Sequence, residues 1–362
     1  MSLPTPDDSR RLNRRQLVRG AAAAGVGGSA MALLAACGKT SDSSTDSAAG
    51  GNGGVGNFPR TPRWRFVVVC HATTNSFFTA TQYGVQDAAA MVDSDYQWTG
   101  SANGDVSEML NAMNAAITAK ADGIALSMVD PRAFDGAVEK AIKAGIPVIA
   151  FSSDAPDSDR LAYVGSDNYA AGIEMGRRIV DLVGGSGDVV LFAAQPGAEY
   201  ATPRIRGTRE VLEEAGIGVA LSASGFTINE SVSRVEAYWQ GHKSVKGLYG
   251  LDAYATQAIG QVIKKNDLRS SGMTGGGYDA LEQTLKYVAD GSLDFTIDEQ
   301  QYLQGFYPIV SLFLTKISGG QTGPADMNLA NKVVTRADVA AYIDNPSRFL
   351  ATTRQQKVIS PS

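Results

Sequence analysis

The sequence predicts an α/β protein made of two parallel sheets, each covered by helices on both faces. After Arg63, short apolar runs of strand length alternate with amphipathic segments of helix length, an alternation typical of parallel sheets. The runs are too many for one comfortable sheet, so we expect two lobes of similar design. The 362 residues are enough for two domains.

The first 36 residues have the features of an export signal. Arg14 and Arg15 precede a run of small apolar residues that contains four glycines, which makes it weak as a membrane-spanning helix. Leu34-Ala35-Ala36 then stands directly before Cys37. Together these features resemble a twin-arginine signal peptide that ends in a lipoprotein cleavage box, where the Cys37 thiol takes up a diacylglyceryl group. An ordinary amino-terminal membrane anchor is the alternative.

Residues 37–62 are expected to be the lipidated cysteine and a flexible linker. From residue 38 to residue 57 the chain is mostly Gly, Ser, Thr, Asp and Ala, and such a segment cannot bury enough apolar surface to fold. Two acyl chains on Cys37 would hold the mature protein on a membrane surface without spanning it. We therefore expect an exported protein, anchored by lipid to the outer face of the cytoplasmic membrane in the cell envelope.

Charge and residue usage argue against several classes of function. Without residues 1–36 the chain keeps 27 basic and 35 acidic residues, a net charge of −8 that argues against nucleic acid as a partner. The two histidines, His71 and His242, are about 170 residues apart, which counts against a metal site and against histidine-based catalysis. Cys70 is the second of two cysteines, so acylation of Cys37 would leave it as a free thiol. No cofactor is expected.

The predicted elements fall into two consecutive sets. The first set has strands at residues 64–70, 96–99, 123–129, 146–151 and 162–164, with helices at 78–92, 106–120 and 133–144. The second set has helices at residues 169–183, 203–215, 230–240, 253–265 and 280–289, with strands at 188–194, 219–224, 247–251, 272–276 and 295–297.

The stretch from residue 67 to residue 91 predicts a strand, a polar loop and a helix. Ligands sit at the carboxyl ends of strands in open parallel sheets, so the loop side chains Asn75, Phe77 and Phe78 are candidates for ligand contact. An amide beside two flat apolar rings suits a sugar, which has hydroxyls at its edge and C–H groups on its faces. The alternative is that both phenylalanines only pack the core above the first helix.

Charged side chains recur where the predicted strands end. Asp154, Asp252, Asp279 and Glu299 each end or follow a strand, and Arg204 opens a helix that would face the same crevice. Carboxylates there can accept hydrogen bonds from hydroxyls, and a guanidinium can donate them. For Asp252 and Asp279 the alternative is helix capping, because each precedes a predicted helix.

The chain from residue 64 to about residue 332 resembles the type I periplasmic sugar-binding proteins, the ribose- and galactose-binding relatives that serve ABC importers. The resemblance rests on Thr74-Asn75-Ser76-Phe77-Phe78, Asp122-Gly123-Ile124, Gly145-Ile146-Pro147-Val148-Ile149, Tyr163-Val164-Gly165-Ser166-Asp167-Asn168, Arg204-Ile205-Arg206-Gly207, Gly277-Tyr278-Asp279 and Thr296-Ile297-Asp298-Glu299-Gln300.

This resemblance implies two flavodoxin-like, doubly wound lobes joined by three hinge crossings, near residues 166–168, 297–299 and 328–332. The amino-terminal lobe would comprise residues 63–166 and 299–328, and the carboxyl-terminal lobe residues 167–298 and 329–362. In this family the aromatic residues of the first loop stack on the sugar ring. Residues matching Arg204 and Asp279 bind hydroxyls, and the position matching His71 is often polar and in contact.

Three positions depart from the ribose-binding pattern and disfavour D-ribose itself as the ligand. Ser152-Ser153 followed by Asp154 stands where an Asp-Arg pair is expected, Leu251 replaces an Asn, and Glu299 replaces a Gln. The missing amide at Leu251 shifts the expected contact to Asp252. The complete set of expected ligand-binding residues is His71, Asn75, Phe77, Phe78, Ser153, Asp154, Arg204, Asp252, Asp279 and Glu299.

The sequence thus predicts a monomeric substrate-binding lipoprotein that captures a monosaccharide or polyol and delivers it to an ABC permease. A ligand-sensing receptor of the same fold is one alternative, and a carboxylate-based glycoside-acting enzyme is a less favoured one. A ligand-responsive repressor is disfavoured, because the export signal occupies the place of a DNA-binding module. For the carboxyl-terminal tail after Pro324 the sequence suggests no role.

Overall fold

The computed structural model describes residues 58–355 and contains two six-stranded sheets. The described residues do not include the predicted signal, Cys37 or most of the predicted linker. The first sheet has the strand order β11-β5-β4-β3-β1-β2, with β1 Arg65–Cys70, β2 Asp95–Gly100, β3 Gly123–Leu126, β4 Val148–Phe151, β5 Ala162–Gly165 and β11 Met327–Asn328. The second sheet has the order β12-β10-β9-β8-β6-β7, with β6 Asp188–Ala193, β7 Gly218–Ala223, β8 Gly247–Gly250, β9 Thr274–Tyr278, β10 Phe295–Asp298 and β12 Lys332–Thr335.

Helices cover both sheets and make two lobes. The amino-terminal lobe carries α1 Phe77–Met91, α2 Val106–Thr118, α3 Asp135–Lys143 and α9 Gln301–Ile317. The carboxyl-terminal lobe carries α4 Asn168–Val183, α5 Ala201–Glu214, α6 Ile228–Gly241, α7 Ala253–Lys265, α8 Glu282–Ala289 and α10 Val339–Ile343. No helix in the described part of the chain combines the length and the apolar character that a membrane span requires.

Strand β1 is apolar on both faces because its sheet lies between two helical layers. In β1, Phe66, Val68 and Cys70 pack into the cluster that includes side chains of α1 and α9. Val67 and Val69 point to the other face, where they pack with side chains of α2 and α3. Cys70 is a free, fully buried thiol in this strand, and its burial raises its pKa. The predicted α/β class with two parallel sheets is confirmed.

The chain passes from one sheet to the other between β5 and α4, between β10 and α9, and between β11 and β12. Within residues 58–355 every strand pairing is parallel except that of β10 with β12. Beyond residue 297 the sequence pattern predicts no further element, whereas the structure has α9, β11, β12 and α10 there. Strand β9 begins at Thr274, two residues later than predicted, because Gly272 ends a short 3-10 helix in a left-handed conformation.

The carboxyl-terminal tail, which the sequence assigns to the carboxyl-terminal lobe with the rest of residues 329–362, also contacts the amino-terminal lobe. Arg348 Nε donates to Asp87 Oδ2 of α1 at 2.8 Å, and its guanidinium lies 4.1 Å from the Tyr83 ring centroid. The Phe349 ring packs edge-on against Tyr302 of α9 at 4.8 Å. These contacts connect the lobes in addition to the three passes of the chain between the sheets.

Candidate ligand-binding site

A cavity lies between the lobes at the carboxyl ends of both sheets. Its amino-terminal wall consists of His71, Ala72, Asn75, Phe77, Phe78 and Ser152. Its carboxyl-terminal wall consists of Ala194, Tyr200, Arg204, Phe226, Asp252, Ala253 and Asp279, and Glu299 lines it from the crossing between β10 and α9. The structure therefore brings together eight of the ten residues that the sequence predicts for ligand contact, all except Ser153 and Asp154.

The loop between β1 and α1 supplies the apolar side of the cavity. Asn75 Oδ1 accepts a hydrogen bond from the backbone N–H of Phe77 at 2.9 Å, which fixes the start of α1 and leaves the amide nitrogen for another partner. Phe77 and Phe78 meet edge to face at 4.7 Å, and both also belong to the core of the amino-terminal lobe. The two phenylalanines thus serve the core and the cavity wall together.

His71 is a neutral polar group in this wall. Its Nδ1 lies 2.7 Å from the hydroxyl of Ser127, and its ring stacks on Tyr200 of the other lobe with centroids 5.7 Å apart. Burial lowers the pKa of His71 to about 4, and the positive charge of Arg204 lowers it further in the same direction. At neutral pH the imidazole can therefore donate or accept a hydrogen bond without carrying charge.

The structure places Ser153 and Asp154 outside the lining of the cavity. Ser152 has a left-handed backbone with φ of 62°, and it is Ser152 that lines the cavity. Ser153 is fully buried, and its hydroxyl donates to the Met128 carbonyl at 3.0 Å. Asp154 accepts from Arg160 Nη2 at 2.6 Å and lines a separate cleft, so its charge is already paired.

Arg204 is the central polar group of the carboxyl-terminal wall. The first turn of α5 carries it, and it is only 4% exposed. Its Nε donates to Asn168 Oδ1 at 2.8 Å, its Nη1 donates to the Leu251 carbonyl at 2.9 Å, and its Nη2 donates to Glu299 Oε1. The guanidinium also lies over the Tyr278 ring, 4.1 Å from its centroid. Three hydrogen bonds and one ring therefore fix its orientation before any ligand arrives.

Asp252 and Asp279 differ in role, although both line the cavity. Asp252 accepts from the backbone N–H of Ala255 at 3.0 Å and so caps α7, as the alternative interpretation holds, and it also accepts from Ala194 N–H at 2.6 Å. Asp279 is no cap, because α8 begins at Glu282 after Leu281. Among the described residues none hydrogen-bonds Asp279 Oδ1. Burial, followed by the negative charge of Glu299, raises the pKa of Asp279 well above its ordinary value.

Sequence reasoning missed two aromatic side chains of the cavity, Tyr200 and Phe226. Tyr200 directly precedes α5, and Phe226 lies in the loop between β7 and α6. Both follow strands of the second sheet at their carboxyl ends. The same strand-end argument that selects Phe77 in the first lobe would have selected them.

The two lobes touch beside the cavity. The backbone N–H of Ser76 donates to the Tyr254 hydroxyl at 3.2 Å, and the backbone N–H of Glu199 donates to the Val129 carbonyl at 3.0 Å. Ser76 and Tyr254 stand at the starts of α1 and α7, one in each lobe. In this conformation the two lobes are therefore in direct contact beside the cavity.

Comparison with known proteins gives consistent results. A family model described as a periplasmic binding protein domain matches residues 66–315. The chain is 39% identical over 302 residues to the xylose/arabinose-binding protein XylF of Sulfolobus acidocaldarius, covering 80% of this chain and 75% of that protein. It is 24% identical over 229 residues to a xylitol-binding protein of Mycolicibacterium smegmatis, covering 60% of this chain and 62% of that protein.

Solved structures share the architecture. A glucose-galactose binding protein from Geobacillus stearothermophilus superposes with a TM-score of 0.70 at 25% identity, covering 77% of this chain and 99% of its own. An ABC transporter solute-binding protein from Burkholderia graminis, solved in complex with D-arabinose, superposes with a TM-score of 0.73 at 26% identity, covering 77% of this chain and 97% of its own.

The buried, neutral state of His71 predicts a pH-dependent contribution to stability. Between pH 6.5 and about 4 the unfolded chain takes up a proton at His71 that the folded chain does not, so the free energy of unfolding falls as the pH falls. The loss amounts to about 3 kcal/mol when complete. Urea unfolding across this range should therefore show a shallower decline for His71→Gln than for the wild type.

If the wild type and His71→Gln differ by the same free energy at pH 7 and at pH 4.5, His71 does not titrate as proposed.

Proposed function

This chain belongs to the periplasmic binding protein family, and from that premise we propose that it is the substrate-binding component of an ABC importer that captures a monosaccharide or polyol between its lobes. The observation that carries the proposal is the cavity itself. Aromatic faces line it from both lobes, and fixed hydrogen-bonding groups stand beside them. A ligand held there would touch both lobes at once.

The wall chemistry suits a hydroxylated ring or chain. Phe78 and Phe226 offer apolar faces to the C–H groups of a sugar, while Arg204 donates and Asp279 accepts or shares hydrogen bonds at its edge. The relatives that are named for xylose, arabinose and xylitol favour five-carbon sugars and sugar alcohols as the first ligands. Each charge-assisted hydrogen bond contributes about 1.5–3 kcal/mol, so a few of them suffice for micromolar affinity.

Ligand capture would couple to movement about the crossings between the sheets. In periplasmic binding proteins the lobes close around the ligand as nearly rigid bodies. A ligand that contacts both walls stabilises the closed form, because the open form cannot supply both sets of contacts. The closed form is then the one presented to the membrane permease.

The protein is a binding protein and not an enzyme, as its family implies. The site geometry supports this conclusion. Glycoside hydrolysis uses a pair of carboxyl groups, one as an acid and one as a base or nucleophile. Here Glu299 is tied to Arg204, and Asp252 is tied to two backbone N–H groups. The ligand would leave unaltered.

A periplasmic binding protein is exported, and we propose that this one is a monomer tethered by a lipid on Cys37. Arg14-Arg15 and Leu34-Ala35-Ala36-Cys37 support a twin-arginine signal with a lipoprotein cleavage box. The glycine- and serine-rich residues after Cys37 would serve as the tether.

Replacing the proposed lipidation site should release the protein from the membrane. In cells that process lipoproteins, the Cys37→Ser variant should move from the membrane fraction to the soluble fraction, because no acyl chain can be attached. Cys70→Ser keeps Cys37 and should stay with the membrane. Retention of Cys37→Ser in the membrane fraction would contradict lipidation at this residue.

Calorimetry with D-xylose, L-arabinose and xylitol tests sugar capture, and we expect at least one of them to bind with micromolar or tighter affinity. The Tyr254→Phe variant should bind that ligand about 3- to 10-fold more weakly, because it loses a hydrogen bond to Ser76 that exists only when the lobes are closed. Tyr96→Phe alters an exposed tyrosine on β2 and should bind as the wild type does.

Absence of binding across a wider panel of pentoses, hexoses, inositols and sugar alcohols would contradict the proposed function. Equal affinities of Tyr254→Phe and Tyr96→Phe would show instead that the Ser76 contact does not contribute to closure.

A further inference from the structure

The positive charge in the cavity wall is already neutralised by the chain itself. Among the described residues that line the cavity, Arg204 alone carries a permanent positive charge. Glu299, which is only 3% exposed, accepts a hydrogen bond from Nη2 of Arg204 and forms an ion pair with it. Asn168 and the Leu251 carbonyl accept from two other N–H groups of the same guanidinium. His71 adds no charge at neutral pH. A ligand entering the cavity therefore meets no unpaired cation.

The remaining ionisable groups of the wall are acidic. Asp252, Asp279 and Glu299 all line the cavity. Burial, and then the negative charge of Glu299, raise the pKa of Asp279 well above its ordinary value. Asp279 Oδ1 is buried and has no hydrogen-bond partner in the described part of the chain, so it is open to a ligand hydroxyl. The surroundings of a bound ligand are thus neutral to negative.

We propose that Glu299 makes the cavity select its ligand by charge, so that uncharged sugars and polyols bind and sugar acids are excluded. This inference rests on the proposed sugar-binding function and adds a specificity-determining residue to it. A ligand carboxylate would have to shed its water beside two or three acidic side chains. The Glu299 carboxylate already neutralises Arg204, so no net positive charge is left to offset the ligand charge, and a ligand that took the place of Glu299 would leave Glu299 as a buried charge without its partner.

Glu299→Gln tests the role of this residue with little change in shape. Asn168 and the Leu251 carbonyl still hold Arg204 in place, but the guanidinium loses the carboxylate to which its Nη2 donates. A ligand carboxylate can then take over that role as a charge-assisted partner of the guanidinium. The variant should therefore gain affinity for acids relative to neutral ligands of the same shape.

The experiment compares ligands that differ only in charge. Calorimetry at pH 7.5 and fixed ionic strength would use the carboxylate and the carboxamide of the same sugar, in the pairs D-glucuronate with D-glucuronamide, D-galacturonate with D-galacturonamide, and D-xylonate with D-xylonamide. For the wild type we expect at least one amide to bind at least 30-fold more tightly than its acid. Glu299→Gln should narrow this ratio at least tenfold.

Glu199→Gln is the matched control, because Glu199 stands near the contact between the lobes and does not line the cavity. This control should keep the wild-type ratio. If Glu199→Gln narrowed the ratio of amide to acid affinity as much as Glu299→Gln does, the inference would be overturned. The overall negative charge of the protein, and not Glu299, would then explain why acids are excluded. A ratio near one in the wild type would also overturn it, as would an unchanged ratio in Glu299→Gln.

The comparison of acid with amide uses the wild type alone, so it does not depend on whether the Glu299→Gln variant folds. Because acid and amide have nearly the same size and shape, the ratio of their affinities reports the effect of charge. Suppose that D-xylose or L-arabinose binds but that neither the acids nor the amides bind. The acids are then excluded by their size and not by their charge, and the inference is wrong. If no neutral sugar or polyol binds at all, the proposed function itself fails, so the two failures are distinguishable.

Discussion

The buried pair of Arg204 and Glu299 is the interaction on which the site depends. Removing two charges from water costs several kcal/mol for each, and this cost is offset only if every group around them is satisfied. The chain meets the condition by bringing three distant segments to one guanidinium: the start of α4 at Asn168, the residue after β8 at Leu251, and the crossing between β10 and α9 at Glu299. The cavity wall is consequently rigid and polar before a ligand arrives.

This pair also joins the binding wall to one of the crossings between the sheets, about which the lobes would move. Glu299 follows the last residue of β10 and precedes α9, which belongs to the other lobe. The orientation of Arg204 is thus set partly from the crossing itself. The amino-terminal lobe contributes mainly aromatic side chains and one neutral imidazole to the cavity. Closure then depends on what the ligand and the Ser76–Tyr254 contact add.

Much of this arrangement follows from rules that act locally along the chain. Alternating strand and helix patterns identify the two sheets. The carboxyl ends of parallel strands lie at one edge of a sheet, so the position of Arg204 and Asp279 after strands identifies them as site residues. Other features depend on geometry that no pattern shows. The left-handed backbone at Ser152 decides which of two adjacent serines faces the cavity. The return of the tail depends on Arg348 meeting Asp87, 261 residues earlier in the chain.

The central claim is that one hydroxylated ligand lies between the lobes and bonds to groups of both. A crystal structure of the protein with the tightest-binding pentose or sugar alcohol tests this most directly. The account predicts the ligand between Phe78 and Phe226, with hydroxyls within hydrogen-bond distance of Arg204 and Asp279. A ligand bound on the outer surface of one lobe, with the cavity between the lobes empty, would contradict the claim.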